Sequence, residues 1–184
     1  MAIFQSVGQA LHVSFFMETL PARQKSVAQI IFESVPRKVG IYDDYTPSTI
    51  DFSGLNDLEV RGQCAMVRSA VDTHLDKKGV YAIHAMYAHG VKKMVGVRKM
   101  SEHCFGALST KNNMAALAMA WNVYGSKDQR TGLSERHIAA EFGLSKSAVR
   151  RDIVRMREAL GVVEVEAVGI LEAVFVGSGV CLPI

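Results

Sequence analysis

Apolar residues fall at helical spacing over most of the chain and almost nowhere alternate like a strand. Leu11, Phe15, Phe16 and Met17 mark a first helix that breaks at Leu20-Pro21, and Val27, Ile30, Ile31 and Val35 form a second stripe, which together predict a helical hairpin. Residues 36–56 hold two Pro, two Gly and clustered Asp, Ser and Thr, the composition of a long connector, with a short strand expected around 39–42. Asn56 can cap a helix over 57–75, with Asp57 and Glu59 in its first turn and Leu58, Cys64, Val67 and Val71 at helical spacing. Further helices are predicted over 79–89, 91–108 and 112–124, the last with Met114, Leu117, Ala118 and Trp121 on one side. Residues 124–132 are polar and bounded by glycine, hence a surface loop. The tail is two-sided. Leu160, Val163, Ala167, Ile170, Leu171, Val174 and Phe175 fit a helix ended by Gly177, Ser178 and Gly179, whereas Val163 to Glu166 alternates like a strand; the helix is the preferred reading.

This pattern predicts an all-α protein: a helical bundle with a helix-turn-helix near its C-terminal end. The expected division is an N-terminal helical region and connector over 1–50, a central bundle over 51–125, and a region over 126–184 carrying that motif. With 184 residues, 49% hydrophobic and 21% charged, the composition suits a globular chain and excludes disorder, collagen and a coiled-coil array as global descriptions. Cys64, Cys104 and Cys181 cannot close a disulfide framework and show no zinc-knuckle spacing, so reduced thiols in the cytoplasm are expected. No stretch has the length of a membrane span, and the apolar start lacks the basic region of a signal peptide.

The net charge of +3 is small but unevenly placed. Residues 43–59 hold five acids and no base, residues 77–99 hold six bases and no acid, and residues 146–157 hold Lys146, Arg150, Arg151, Arg155 and Arg157 against Asp152 alone. Two basic segments separated by neutral and acidic ones are the charge pattern of a nucleic-acid face.

The second of these segments lies in the most specific stretch of the chain. Residues 134–160 have the anatomy of a helix-turn-helix. Ser134 can cap a first helix with Ile138, Ala139 and Phe142 inward, Gly143 supplies the positive φ of a tight turn, and Leu144 fills the angle between the helices. Ser145 can cap the second helix, whose core positions Val149, Ile153, Met156 and Leu160 recur at spacings of four, three and four. Lys146, Ser147, Arg150, Arg151 and Val154 are left on the outer face, where a recognition helix meets the major groove.

The run from Ile138 to Ile153, Ile-Ala-Ala-Glu-Phe-Gly-Leu-Ser-Lys-Ser-Ala-Val-Arg-Arg-Asp-Ile, resembles the helix-turn-helix of bacterial transcription regulators of the DeoR type and also region 4 of sigma factors. The resemblance covers about 27 residues and implies a non-catalytic regulator that binds double-stranded DNA, with Ser145, Lys146, Ser147, Arg150 and Arg151 facing the groove. Arg155 and Arg157 join them as phosphate contacts. The sequence departs from the DeoR pattern after the motif, where residues 162–175 are acidic and apolar rather than a basic wing. A homodimer on paired half-sites is the expected arrangement, and a phage antitermination factor of the Q type, which binds RNA polymerase as well as DNA, is the principal alternative. A recombinase or transposase accessory domain is a third reading, disfavoured because the first half lacks a serine-nucleophile or acidic-triad arrangement.

The first basic segment faintly echoes this motif: a helix, Gly90, then a basic helix, with Gly96 where the later motif has Val149. A solvated helix with Lys92, Lys93, Arg98 and Lys99 outside is the simpler reading, and such a face offers secondary contacts to DNA flanks or polymerase. His74, His84, His89, His103 and His137, with Cys64 and Cys104, have no metal-ligand spacing, and Asp43, Asp44 and Asp51 lie in the connector without supporting ligands. Adjacent His103 and Cys104 diverge by about 100° on a helix and make no nucleophile-base pair. The glycines form no phosphate-cradling loop, so no cofactor or metal is expected.

Overall fold

In a computed structural model of the chain, residues 3–20 and 54–182 are described. The second apolar stripe of the first 35 residues, the strand around 39–42 and the acids Asp43, Asp44 and Asp51 lie outside them. Among the described residues the fold is all-α, with seven helices: α1 (Val7–Thr19), α2 (Asp57–His74), α3 (Lys77–Tyr87), α4 (Gly90–Cys104), α5 (Asn113–Tyr124), α6 (Glu135–Glu141) and α7 (Lys146–Gly177). A single 3-10 turn, Phe105–Ala107, follows α4. None of these helices is long and apolar enough to cross a membrane.

The chain divides into two compact units, one of Met1–Leu75 with Val168–Ile184 and one of Asp76–Ala167. In the first, α1 buries Val7, Leu11, Val13, Phe15 and Met17, and even Ser14 is enclosed. Asn56 and Glu59 form a reciprocal capping box on α2: the Asn56 carboxamide oxygen accepts from Leu58 N and Glu59 N at 3.0 and 2.9 Å, and Glu59 Oε2 accepts from Asn56 N at 2.7 Å. The core face of α2 is Val60, Cys64, Val67 and Val71, while Leu58, placed in that stripe by its spacing, is exposed in the first turn. Guanidinium groups of Arg61 and Arg68 reach back to the Leu20 and Ser14 carbonyls, tying α2 to α1. Phe4 forms an isolated parallel bridge with Cys181, its N–H donating to Val180 O and its carbonyl accepting from Leu182 N, both at 3.1 Å.

In the second unit, Asp76 caps α3 through Gly79 N at 2.7 Å, so the helix begins at Lys77, two residues before the expected start. α3 and α4 pack against each other at Gly96, where an added Cβ would sit 2.6 Å from Ala85 N and 2.8 Å from Tyr81 O. Only a residue without a side chain permits that approach. α4 ends at Cys104, earlier than its apolar pattern predicts, and the 3-10 turn carries the rest.

α5 differs from expectation in which face it buries. Ala115, Ala116, Met119 and Ala120 are enclosed, whereas Met114 is exposed and Leu117, Ala118 and Trp121 are half-buried. The helix is apolar nearly all round, so periodicity does not choose a face, and the small alanines allow the closest contact with neighbouring helices. The core of this unit joins Val97 and Met100 of α4, Met119 of α5, Ile138 of α6 and Val149, Ile153, Met156 and Leu160 of α7.

The surface of the glycine turn and the long helix

Residues 133–160 carry the candidate site. Ser134 Oγ accepts from His137 N at 3.2 Å and starts α6, which buries Ile138 and Ala139 and leaves Phe142 half-buried. Gly143 then adopts φ +64°, and Leu144 N donates to Ala139 O at 2.9 Å, the six-to-one bond of a glycine-ended helix. Ser145 opens α7: its hydroxyl accepts from Ala148 N at 3.2 Å and lies 3.2 Å from Ser147 Oγ. α7 runs on as one helix to Gly177, so residues 162–175 are helical and form neither strand nor wing.

The four core positions of the first half of α7, Val149, Ile153, Met156 and Leu160, are buried. Ser145, Lys146, Ser147, Arg150, Arg151, Arg155 and Arg157 are all exposed. Ser147, Arg150, Arg151, Val154 and Arg155 line one shallow surface depression. The helical repeat places Lys146, Arg150 and Arg157 along one flank of this face and Arg151 and Arg155 along the other. The result is a cationic surface with hydroxyls at its leading end, suited to phosphate oxygens and base edges.

Asp152, which the pattern of the sequence did not single out, anchors this helix. Its carboxylate is only 1% exposed and accepts from Ser109 N at 2.9 Å, Ser109 Oγ at 2.8 Å and Thr110 N at 3.0 Å. Arg155 stands 3.4 Å away. Burial alone raises the Asp152 carboxyl, but the Ser109 and Thr110 amides, the Ser109 hydroxyl and Arg155 outweigh it and hold the group below the usual carboxylate range. The signal was its spacing: three residues after Val149 and four before Met156, position 152 borders the core stripe.

The first basic segment is divided. Lys92 and Arg98 are exposed and Lys99 is half-buried, with Arg98 and Lys99 paired to Glu102 at 3.2 and 2.7 Å. Lys93, expected on the outside, is 7% exposed, and its ammonium donates to Ala85 O at 2.9 Å near the end of α3. It stabilises a terminal carbonyl that has no partner within its helix, which explains the inward turn. Burial, with Arg130 nearby, lowers Lys93 to about 8.

The loop after α5 is pinned by Arg130, whose guanidinium donates to Gly125 O at 2.6 Å, and by Asn122, whose amide donates to Leu133 O at 2.7 Å. The three cysteines are free and buried. Among the described residues, no group of three or more His, Cys, Asp or Glu is placed to hold a metal ion. In comparisons with known proteins, no family model matches the chain and no curated protein matches it.

Proposed function

We propose that residues 134–160 are a helix-turn-helix through which this chain binds double-stranded DNA in a sequence-specific manner, as a cytoplasmic transcription regulator without catalysis. The observation that carries this reading is the exposed face of Ser147, Arg150, Arg151, Val154 and Arg155 on the first turns of a helix whose opposite side is locked into the core. The capped α6, the Gly143 turn and the Ser145 cap support it, because they present the start of α7 as a rigid element.

Arg150 and Arg151 are assigned to base edges, where each bidentate guanine contact contributes about 1–3 kcal/mol of discrimination. Lys146, Arg155 and Arg157 neutralise phosphates, a contribution independent of sequence and weakened by salt. Ser145 and Ser147 add hydroxyl contacts near the helix start, and Lys92, Arg98 and Lys99 are secondary contacts.

Selection of bound fragments from a random duplex pool at physiological salt tests the reading. The wild-type chain is expected to enrich one motif, and the Arg150→Ala/Arg151→Ala variant, with unchanged helicity, to lose that motif while keeping weak salt-sensitive binding. An unchanged motif in the double variant removes both arginines from the reading surface, and no enrichment by the wild type rejects the function.

A second reading, a polymerase-associated factor of the Q antitermination type, is favoured by one separate feature. Val91, Met94 and Val95 on α4 are exposed beside Lys92 and Arg98, an apolar and basic face suited to a protein partner. Co-sedimentation with purified RNA polymerase, lost on Met94→Glu, is the result that reading requires.

A further inference from the structure

We propose that the outward face of α7 around Gly161 docks a second copy of this chain, with the two α7 helices antiparallel about a two-fold axis. Val162 and Val165 are 70% and 71% exposed, well above any apolar residue on the inward side of the same helix. With Arg157, Glu158, Gly161 and Glu166 they line one shallow, largely apolar depression. A Cβ built at Gly161 meets no atom within 4 Å, so the helix backbone there is open to close approach from outside.

The charges along this face select the occupant. The outward charged residues before it and at its start are cations, Arg150, Arg151, Arg155 and Arg157, and those further along it are Glu158 and Glu166. A parallel copy sets like charge against like, whereas an antiparallel copy sets the cationic half of each helix against the anionic half of the other. Arg155 and Glu166 are eleven residues apart, about three helical turns, and so occupy the same flank at a separation of about 16 Å. A two-fold axis at Leu160 and Gly161 brings matching flanks together and places Arg155 beside Glu166 of the partner subunit, twice per dimer. Val162 and Val165 then close over the partner helix at its open glycine. This pairing uses Arg155 and lays the partner helix over the outward arginines that the proposed function gives to DNA, so the second copy and DNA compete for this face. The contact is short and contains the Glu158 carboxylate, so the dimer dissociates on dilution, as small interfaces do.

Sedimentation equilibrium of the full chain, freed of nucleic acid and run from low to several hundred micromolar, tests this. The expected result is a monomer–dimer equilibrium, absent in Val162→Asp. Glu166→Arg weakens it about tenfold, because two favourable pairs become repulsive, and Arg155→Glu/Glu166→Arg restores it. Val162→Asp and Glu166→Arg are first shown to keep the wild-type helicity and melting temperature, which their exposed positions allow, and the double reversal, which also loses the Arg155–Asp152 pair, is shown to keep the helicity at the temperature of the run. A monomer at every concentration, a dimer that survives Val162→Asp, or a double reversal no tighter than Glu166→Arg overturns the proposal. Fragment selection by the monomeric Val162→Asp variant reports on DNA reading separately.

Discussion

Arg150, Arg151 and Asp152 are consecutive, yet two face solvent and the third is the most completely enclosed carboxylate among the described residues. Asp152→Ala leaves the Ser109 and Thr110 amides without their acceptor inside the protein, and a loss of about 3 kcal/mol in chemical denaturation is expected, against a negligible loss for the exposed Glu158→Ala. Because the folded Asp152 carboxyl lies below its unfolded value, its contribution is complete above about pH 4 and fades as pH falls through the folded value. Lys93 has the opposite sense. Its folded value is depressed to about 8, so between about pH 8 and pH 10.4 the unfolded chain holds the extra proton and stability from this group rises with pH. Thermal melts of wild type and Lys93→Met across that range isolate the effect: the wild type gains on the variant as pH rises. Raised thiol values at Cys104 and Cys181, caused by burial, act in the other direction and cancel in the comparison.

At the scale of elements, the sequence was most legible where a cap and a periodic stripe coincide. Asn56, Ser134 and Ser145 each accept the amide bonds expected of them, and Val149, Ile153, Met156 and Leu160 face inward as their spacing requires. Legibility failed where apolar residues surround a helix, as in α5, and where a long charged side chain had a carbonyl to satisfy, as at Lys93. Neither feature has a period. The contact of α3 with α4 at Gly96 was visible only as a weakness in an otherwise repeating motif, since a glycine shows the absence of a side chain and not the backbone it admits. Gly96→Ala is expected to cost about 3 kcal/mol or more, because both obstructing atoms are backbone. Gly62→Ala in α2, where no atom lies within 4 Å, serves as the control and gains about 1 kcal/mol.

Over the whole molecule, the net charge of +3 understates how the protein presents itself. Composition alone favours no partner, whereas the first twelve residues of α7 concentrate four arginines and a lysine around one buried acid. The all-α class followed from hydrophobic periodicity. The association of Phe4 with Cys181 did not, because a single bridge between distant segments has no local signature. Asp152 also bears on how such a protein changes over generations. On α7 the outward cationic positions and those that hold the scaffold are interleaved, and the anchoring carboxylate satisfies a loop more than forty residues away while engaging, of the outward cations, Arg155. If the proposed function holds, substitutions at 147, 150, 151 and 154 alter recognition one residue at a time while the scaffold stays intact, so a new specificity is reachable through a series of folded intermediates.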